Sequence, residues 1–326
     1  MRNETVRLTL AAACLASGAY HPVCAQDYPA KPIRMVVAVA PAGPTDVLAR
    51  MIGQKFTETW GQPVIVDNRP GGGQVVGAEI VAKSPADGYT LLMGTNTFAV
   101  NPALFKTLPY DSARDFAPIT LVAEVPLILT VHPSVPANTL KELIAVAKAR
   151  PGQLNYASSG SSSSLRLAAE LMQSMAGIGI VHIPYRGSGP AMTDLIGGQV
   201  QLMFANPLIA LPHVKAARLR ALAITSARRS GSASLKDLPT MSEAGLPGYS
   251  AGSWFGLLAP GQTPKRLVDK LHGEVVRILR MPEIHARLET EGAIAVGNTP
   301  AEFTAYIGAE MKKWEKVVRA SKITPD

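Results

Sequence analysis

The sequence predicts an α/β fold in which parallel strands alternate with helices. Short runs rich in Val, Ile and Leu alternate with longer runs of helical period over most of the chain. Capping-box patterns at 139–142 and 299–302 mark the starts of two of the helices. Hydrophobic residues make up 47% of the 326 residues, which is enough to build a sizeable core and argues against disorder.

The first part of the chain shows this alternation clearly. Ile33 to Ala40 is predicted as a buried strand, and Thr45 to Trp60 as a helix that ends at Gly61. A second strand, a short helix and a third strand are predicted next, at 64–67, 76–83 and 90–93.

The middle of the chain repeats the pattern. Further strands are predicted at 127–131, 155–157, 180–184 and 219–225, with helices after Thr139, at 165–175 and from Pro190 to the Gly197-Gly198 pair. The stretch 195–214 has no charge over about the length of a bilayer span, but its Gly, Pro, Asn and Gln residues favour a strand followed by a turn.

The last eighty residues are predicted to be mostly helical. One helix is expected to begin at Thr263-Pro264 and another at the capping box of Thr299. An apolar stripe at helical spacing in the second helix is predicted to pack in the core: Phe303, Tyr306, Ile307, Met311 and Trp314.

Residues 1–25 are predicted to be a cleavable signal peptide. Two arginines precede the apolar run 8–19, and Val23-Cys24-Ala25 offers a small-residue cleavage site. Cleavage there removes Cys14 and Cys24, so the mature chain has no cysteine, as suits an extracytoplasmic protein stabilised by its core. Lipid attachment at Cys14 is the alternative, and the short apolar run before it argues against that.

Composition and motifs exclude several classes of function. The net charge is +8, and +7 after loss of the signal peptide, which favours acidic partners. The basic residues are scattered and not interleaved with aromatics, so nucleic-acid binding is not expected. The sequence has no zinc-ligand spacing, no phosphate-binding lysine loop, no dinucleotide fingerprint and no nucleophile elbow, so no metal, cofactor or catalytic residue is predicted. His182 lies in a predicted strand and is expected to be a core histidine.

Three junctions between a predicted strand and a helix carry polar or glycine-rich loops, at 41–46, 158–164 and 185–190. Ligands of open α/β sheets gather beyond the carboxyl ends of the strands. Free N–H groups and the helix dipole at a helix start attract a carboxylate. The alternative for 41–46 is a structural turn, and for 158–164 it is a flexible linker or a simple N-cap. In 185–190, Arg186 could supply a fixed cation or simply be solvated. The run 71–73 is either a backbone nest near the cleft or a mobile turn.

Seven segments of the sequence occur in the order found in one family. They resemble the Bug family, also called the TctC family, of periplasmic solute-binding proteins that serve tripartite tricarboxylate transporters. The segments are YPAKPIRMVVAVAPAGPTDVLAR, VDNRPGGGQVVGAEIVAKSPADGYTLLMG, LPYDSARDFAPIT, NYASSGSSSSLRLAAELM, VHIPYRGSGPAMTDLIGGQVQLMF, LRALAITSARRS and LPTMSEAGLPGY.

This resemblance implies a two-lobed periplasmic-binding-protein fold of the type II kind. Each lobe is a sheet flanked by helices, and two crossover segments join the lobes. The predicted boundaries are 26–126 with 249–326 for lobe 1, and 127–248 for lobe 2. The resemblance places ligand contacts at 41–46, 158–164 and 185–191. With Thr95 and Ala205 added from outside these segments, the candidate ligand-binding residues are Ala42, Gly43, Thr45, Asp46, Thr95, Ser158, Ser159, Gly160, Ser161, Ser163, Tyr185, Gly187, Ala191 and Ala205.

The chain departs from the family pattern at three positions. Pro44 stands where glycine is usual, which removes one N–H donor, and Arg166 stands where histidine is common. Ala205 stands where aspartate is common, and loss of a partner for a ligand ammonium argues against an amino acid as ligand.

The leading hypothesis is a monomeric periplasmic binding protein that captures a small carboxylate between its lobes and delivers it to membrane transporter subunits. Two alternatives stay open at this point. One is a ligand sensor for a membrane signalling protein, which would use the same clamshell. The other is an extracytoplasmic hydrolase, which would need a base within reach of a hydroxyl nucleophile.

Overall fold

The computed structural model describes residues 28–41, 43–160, 163–185, 187–290 and 292–321. The predicted signal peptide and both cysteines lie outside these ranges. From Lys31 onward the chain forms one compact unit. Within the described ranges, its strands form two mixed sheets, sheet A of six strands and sheet B of five.

Sheet A contains the strands before residue 127 and those after residue 251. They are β1 (Ile33–Val37), β2 (Val64–Asn68), β3 (Thr90–Thr95), β4 (Phe116–Pro126), β10 (Gly252–Pro260) and β11 (Ile294–Ala295). Their order across the sheet is β11-β4-β10-β3-β1-β2. β1 pairs in parallel with β2 and β3, whereas β10 pairs antiparallel with β3 and β4.

Sheet B is built from the middle of the chain. Its strands are β5 (Ile128–Val131), β6 (Asn155–Ser158), β7 (Val181–Pro184), β8 (Leu202–Ala205) and β9 (Arg220–Ile224). Their order is β7-β6-β8-β5-β9, with β6 parallel to β7 and β8, and β5 antiparallel to β8 and β9.

Helices cover the faces of both sheets. In chain order they are α1 (Pro44–Trp60), α2 (Val75–Ala82), α3 (Asn96–Leu104), α4 (Leu140–Ala149), α5 (Ser164–Ala176), α6 (Ser188–Ile196), α7 (Pro207–Lys215), α8 (Lys265–Leu279), α9 (Pro282–Thr290) and α10 (Pro300–Ser321). None of them is long and apolar enough to cross a membrane in the part of the chain that the structure describes.

The predicted helix ends are confirmed where the sequence carries cap residues. Gly61 ends α1 in the left-handed conformation at φ 67°, and its N–H donates to the carbonyl of Thr57. At the start of α10, the Thr299 hydroxyl accepts from the N–H of Glu302 at 3.2 Å, and the Glu302 carboxylate accepts from the N–H of Thr299 at 2.8 Å. This reciprocal pair is the predicted capping box.

The predicted parallel strands are present as β1 to β3 and β6 to β8, but both sheets also contain antiparallel pairings that the sequence did not predict. The chain leaves sheet A at Pro126 and returns at Gly252, and these two residues are paired across β4 and β10. β10 begins beside the residues at which β3 and β4 end, and it therefore runs antiparallel to both strands. β5 likewise enters sheet B directly from the first crossover, beside the residues at which β8 and β9 end. It therefore runs antiparallel to both of these strands.

Other differences come from segments with weak local signals. β4, β10, α3 and α9 were not anticipated. The stretch 195–214 ends in the helix α7 and not in a turn, because Asn206 caps the helix by accepting from the N–H of Leu208, and Pro207 fits its first position.

The apolar stripe of α10 packs in the core as predicted, and it reaches two clusters. Phe303 and Ile307 pack beside Trp254 in a cluster of sheet A residues. Trp314, about two turns beyond Ile307, belongs to the cluster that contains Tyr156 of sheet B. One helix therefore contributes to the cores on both sides of the crossovers, while Tyr306 and Met311 of the stripe are partly buried.

The two crossover segments are hydrogen-bonded to each other. The N–H of Leu127 donates to the Thr225 hydroxyl at 2.7 Å, and the N–H of Thr225 donates to the carbonyl of Leu127 at 2.9 Å. Ala251 in turn donates its N–H to the carbonyl of Thr225 at 3.0 Å. The chain thus passes between the sheets twice at one place.

Candidate functional site

A cleft of about 570 Å³ lies between the two sheets. It opens at the carboxyl ends of β1, β3 and β6, the edge at which α/β sheets bind ligands. The described residues that line it are Val39, Pro44, Thr45, Gly73, Gln74, Thr95, Asn96, Thr97, Ser159, Gly160, Ser163, Ser164, Ser253 and Phe255. None of these described lining residues carries an ionisable side chain.

Residues from both sides of the crossovers meet in this cleft. Ser164 at the start of α5 and Ser253 in β10 bring their hydroxyl oxygens to 3.1 Å from each other. A solute bound here would touch elements of sheet A and of sheet B at once. The affinity for that solute would then depend on how closely the elements of sheet A approach those of sheet B.

Three helices begin on the described part of the cleft wall: α1 at Pro44, α3 after Thr95 and α5 after Ser163. The first turns of α1 and α3 receive no side-chain cap from the described residues, whereas Ser163 caps α5 by accepting from the N–H of Arg166. Uncapped N–H groups and converging helix dipoles make this wall electropositive without any cationic side chain. Such a wall suits a carboxylate.

Gln74 holds the start of α3 in place. Its side-chain amide donates to the Thr97 hydroxyl at 3.1 Å, and its carbonyl oxygen accepts from the Thr95 hydroxyl at 2.9 Å. Its backbone lies in the left-handed region at φ 72°, directly after three glycines that also have positive φ. Strained backbone of this kind clusters at ligand sites. Gly73 and Gln74 line the cleft, so the end of the glycine run 71–73 lies beside it. This position is compatible with the interpretation of 71–73 as a backbone nest near the cleft.

Five of the fourteen candidate residues lie on the cleft wall: Thr45, Thr95, Ser159, Gly160 and Ser163. Ala42 and Ser161 lie outside the described residues, as does Arg186. Seven others are described but do not line the cleft, and these are Gly43, Asp46, Ser158, Tyr185, Gly187, Ala191 and Ala205.

Asp46 is held by protein groups. Its carboxylate accepts from Nε of Arg50 at 3.0 Å and from the side-chain amide of Asn68 at 3.0 Å, and the residue is buried. It stabilises the first turn of α1 and ties it to the end of β2. In this arrangement Asp46 does not line the cleft, and it holds in position the first turn of α1, which does.

Ser158 and His182 fix the loop that carries Gly160. The Ser158 hydroxyl donates to the carbonyl of Gly160 at 2.9 Å and lies 2.7 Å from Nε2 of His182. Because a serine has one hydroxyl proton, His182 then donates from Nε2. Ser163 also donates its hydroxyl to the carbonyl of Gly160, at 2.8 Å. A serine–histidine pair is therefore present, but Ser158 is fully buried, and its oxygen points into the loop.

Ser158→Ala is expected to lower the free energy of unfolding by about 1–3 kcal/mol, since it removes the buried hydroxyl that joins His182 to the carbonyl of Gly160. Chemical denaturation followed by circular dichroism would measure this. Ser159→Ala is the matched control, because Ser159 is only partly buried and its loss should cost less than about 0.5 kcal/mol. Equal effects of the two substitutions would contradict the role of Ser158 in fixing the loop.

The remaining candidates support the wall of sheet B from within. Tyr185 donates its hydroxyl to Asp194 at 2.7 Å, and burial, together with that carboxylate, raises the pKa of Tyr185 to about 12. Gly187 precedes α6 at φ 109°, where a side chain would be strained. Ala191 and Ala205 are fully buried.

Sequence reasoning missed Gln74, Asn96, Thr97, Ser253 and Phe255 on the cleft wall. A signal existed for Asn96 and Thr97, because they come shortly after the strand predicted at 90–93. The helix that begins with them, α3, carries Pro102 and has little amphipathic character, so the junction was not recognised. In the part of the chain that the structure describes, no cluster of His, Cys, Asp and Glu is placed to hold a metal ion.

Two mixed α/β sheets on either side of a polar cleft, crossed twice by the chain, define the class of two-lobed solute-binding proteins. The chain belongs to the tripartite tricarboxylate transporter family receptor proteins, TctC, whose family profile matches residues 48–323. The resemblance drawn from the seven sequence segments is thereby confirmed, as is the predicted fold class.

Relatives and solved structures agree with this assignment. The protein BugT of Bordetella pertussis is 39% identical over 305 residues, which is 93% of either chain. A structure of an R. palustris protein with adipate has a TM-score of 0.75 and 38% identity, over 92% of this chain and 100% of the other. The structure of MatC from Rhodopseudomonas palustris with bound malate has a TM-score of 0.72 and 32% identity, over 89% and 100%.

Proposed function

We propose that this protein is a periplasmic receptor that captures a small carboxylate in its cleft and delivers it to the membrane subunits of a tripartite tricarboxylate-type transporter. The observation that carries the proposal is the convergence of three helix starts, two of them without a side-chain cap, on a described wall that holds no charged side chain. The family assignment supports it, as do the relatives with adipate and malate.

In this proposal the carboxylate oxygens accept hydrogen bonds from backbone N–H groups and small hydroxyls. Hydrogen bonds to a charged group contribute about 1.5–3 kcal/mol each. Thr45 contacts the ligand directly, whereas Thr95 and Ser163 donate their hydroxyl protons to Gln74 and to the carbonyl of Gly160 and line the wall beside it. The predicted but undescribed Ala42 and Ser161 belong to the loops 41–46 and 158–164. Gly43, Asp46, Ser158, Tyr185, Gly187, Ala191 and Ala205 position these loops.

The proposal includes the organisation and location of the chain. Residues 26–126 with 249–326 form lobe 1, and residues 127–248 form lobe 2. Residues 1–25 direct export to the periplasm and are removed. The mature protein acts as a monomer, binds no cofactor, and releases its ligand chemically unchanged, since the buried hydroxyl of Ser158 cannot reach a solute in the cleft.

A thermal-unfolding screen of mono-, di-, tri- and aromatic carboxylates tests the proposal. A true ligand at 100 times its dissociation constant is expected to stabilise the protein by about 2.7 kcal/mol, because it binds only the folded state. The corresponding primary amides are the matched controls and should give much smaller shifts.

The same samples reveal catalysis. After overnight incubation, proton NMR should recover each acid unchanged and in full. Failure of every carboxylate to stabilise the protein would refute the proposed function, and steady consumption of a stabilising acid would replace it with an enzymatic one.

A further inference from the structure

A small internal cavity of about 10 Å³ lies on the sheet A side of the molecule, lined in part by residues of β3, α2 and α3. A space of about 10–15 Å³ is what one water molecule needs. Most of the lining is apolar, as at Leu92 and Phe98. Three of the described lining residues have polar side chains: Gln74, Asn101 and Tyr110.

Asn101 contributes a buried oxygen to this cavity. The residue is 1% exposed, and its side-chain nitrogen donates to the carbonyl of Gly73 at 2.9 Å. A carbonyl can only accept, so this bond fixes which end of the amide meets the loop. The other end, Oδ1, is buried and has no hydrogen-bond partner among the described residues.

Tyr110 contributes a second buried polar atom. The residue is 6% exposed, and its hydroxyl likewise has no hydrogen-bond partner among the described residues. Its ring is packed against Phe98 and Phe116, with centroids 6.5 and 5.5 Å away, so the hydroxyl is held in place. Burial raises the pKa of Tyr110, and the side chain of Asn101 is close enough to oppose that shift. Two buried polar atoms on one cavity, not bonded to each other, point to a partner between them.

We propose that one buried water molecule occupies this cavity, donates a hydrogen bond to Oδ1 of Asn101 and accepts one from the hydroxyl of Tyr110. A buried water makes two to four hydrogen bonds to groups that would otherwise lack a partner. Gln74 is available as a further partner, because its amide has a second proton besides the one that it donates to Thr97.

This water also holds the loop 71–74 in place. By binding Oδ1 it fixes the amide of Asn101, and the same amide holds the carbonyl of Gly73. Gly73 and Gln74 have φ values of 61° and 72°, and the left-handed conformation is unfavourable for a residue such as Gln74. The water is therefore part of the support for a loop whose end lines the cleft.

Tyr110→Phe tests the site, because the sign of its effect depends on whether the hydroxyl has a partner. If the water is bound, the variant loses a hydrogen bond, and the equilibrium constant of unfolding should rise about two- to tenfold. If the hydroxyl has no partner, its removal relieves a desolvated polar group and the constant should fall. Tyr249→Phe is the matched control, since Tyr249 is 1% exposed and donates directly to the carbonyl of Ala168 at 2.7 Å. Its constant should rise at least twofold.

Hydrogen exchange and crystallography complete the test. Amide protons of 71–74 should exchange faster in Tyr110→Phe and not in Tyr249→Phe, because only the first variant loosens this loop. A crystal structure of the native protein should show a water peak within hydrogen-bonding distance of Asn101 Oδ1 and the Tyr110 hydroxyl.

The outcomes have distinct meanings. A cavity without a water peak, or an unfolding constant that stays the same or falls in Tyr110→Phe, refutes the water site. A raised constant with unchanged exchange at 71–74 refutes the support of the loop. None of these measurements uses a ligand, so their results are independent of the proposed carboxylate binding.

Discussion

Thr97→Asp is expected to weaken carboxylate binding at least about 100-fold while the fold stays intact. The substitution places a fixed negative charge at the start of α3, on the cleft wall. Two like charges about 4 Å apart at an effective dielectric constant of 20 repel by about 4 kcal/mol, which corresponds to roughly a thousandfold in affinity. The best ligand from the carboxylate screen, titrated calorimetrically, gives the measurement.

The fold should tolerate this change for two reasons. An acidic residue in the first turn stabilises a helix. The new carboxylate can also accept the hydrogen bond that Gln74 now donates to the Thr97 hydroxyl. Thr97→Asn is the matched control, because it is nearly isosteric with aspartate and uncharged, and less than about a tenfold loss is expected. Equal losses in the two variants would mean that charge at this helix start does not govern binding.

Trp314→Ala is expected to lower the free energy of unfolding by about 3–5 kcal/mol, the range for truncating a large buried aromatic side chain. Trp314 is 1% exposed, and its ring nitrogen donates to the carboxylate of Glu310 at 2.8 Å. Its loss opens a cavity and deprives a buried carboxylate of a donor. Urea denaturation of the ligand-free protein, followed by circular dichroism, would give the value.

Trp60→Ala serves as the comparison for this substitution. Trp60 is partly exposed at the end of α1, where its ring lies 4.5 Å from that of Phe56. It should cost clearly less than Trp314→Ala, because less apolar surface is removed from a protected position. Equal losses of stability in the two variants would contradict the claim that Trp314 of α10 is an important part of the core around sheet B.

The sequence predicted most helices and strands because their signals are local. The side chains of Thr139 and Thr299 cap the helices that follow them. Gly61 ends a helix because glycine adopts the left-handed conformation without strain. Strand direction is not local. That β10 runs antiparallel depends on where the chain returns from the second crossover, and no pattern within 252–260 encodes it.

The candidate site was predicted as a set of loops more successfully than as a set of side chains. The loops at 41–46 and 158–164 reach the cleft because strand ends meet at one edge of a sheet. Which side chain within a loop faces the cleft is decided by tertiary hydrogen bonds. Ser158 turns inward to meet His182, whereas its neighbour Ser159 faces the cleft, and nothing in a run of serines distinguishes them.

The described part of the cleft wall holds no charged side chain, and this has a kinetic consequence. The positive net charge of the chain draws anions toward the protein, and salt screens this attraction over distances of about 10 Å. In the proposed binding mode, departure of the solute breaks short hydrogen bonds to amides and hydroxyls, which ions in solution barely screen. Raising the ionic strength therefore slows association while leaving residence time nearly constant. At low ionic strength the protein would therefore capture its solute faster, but it would not retain the solute for a longer time.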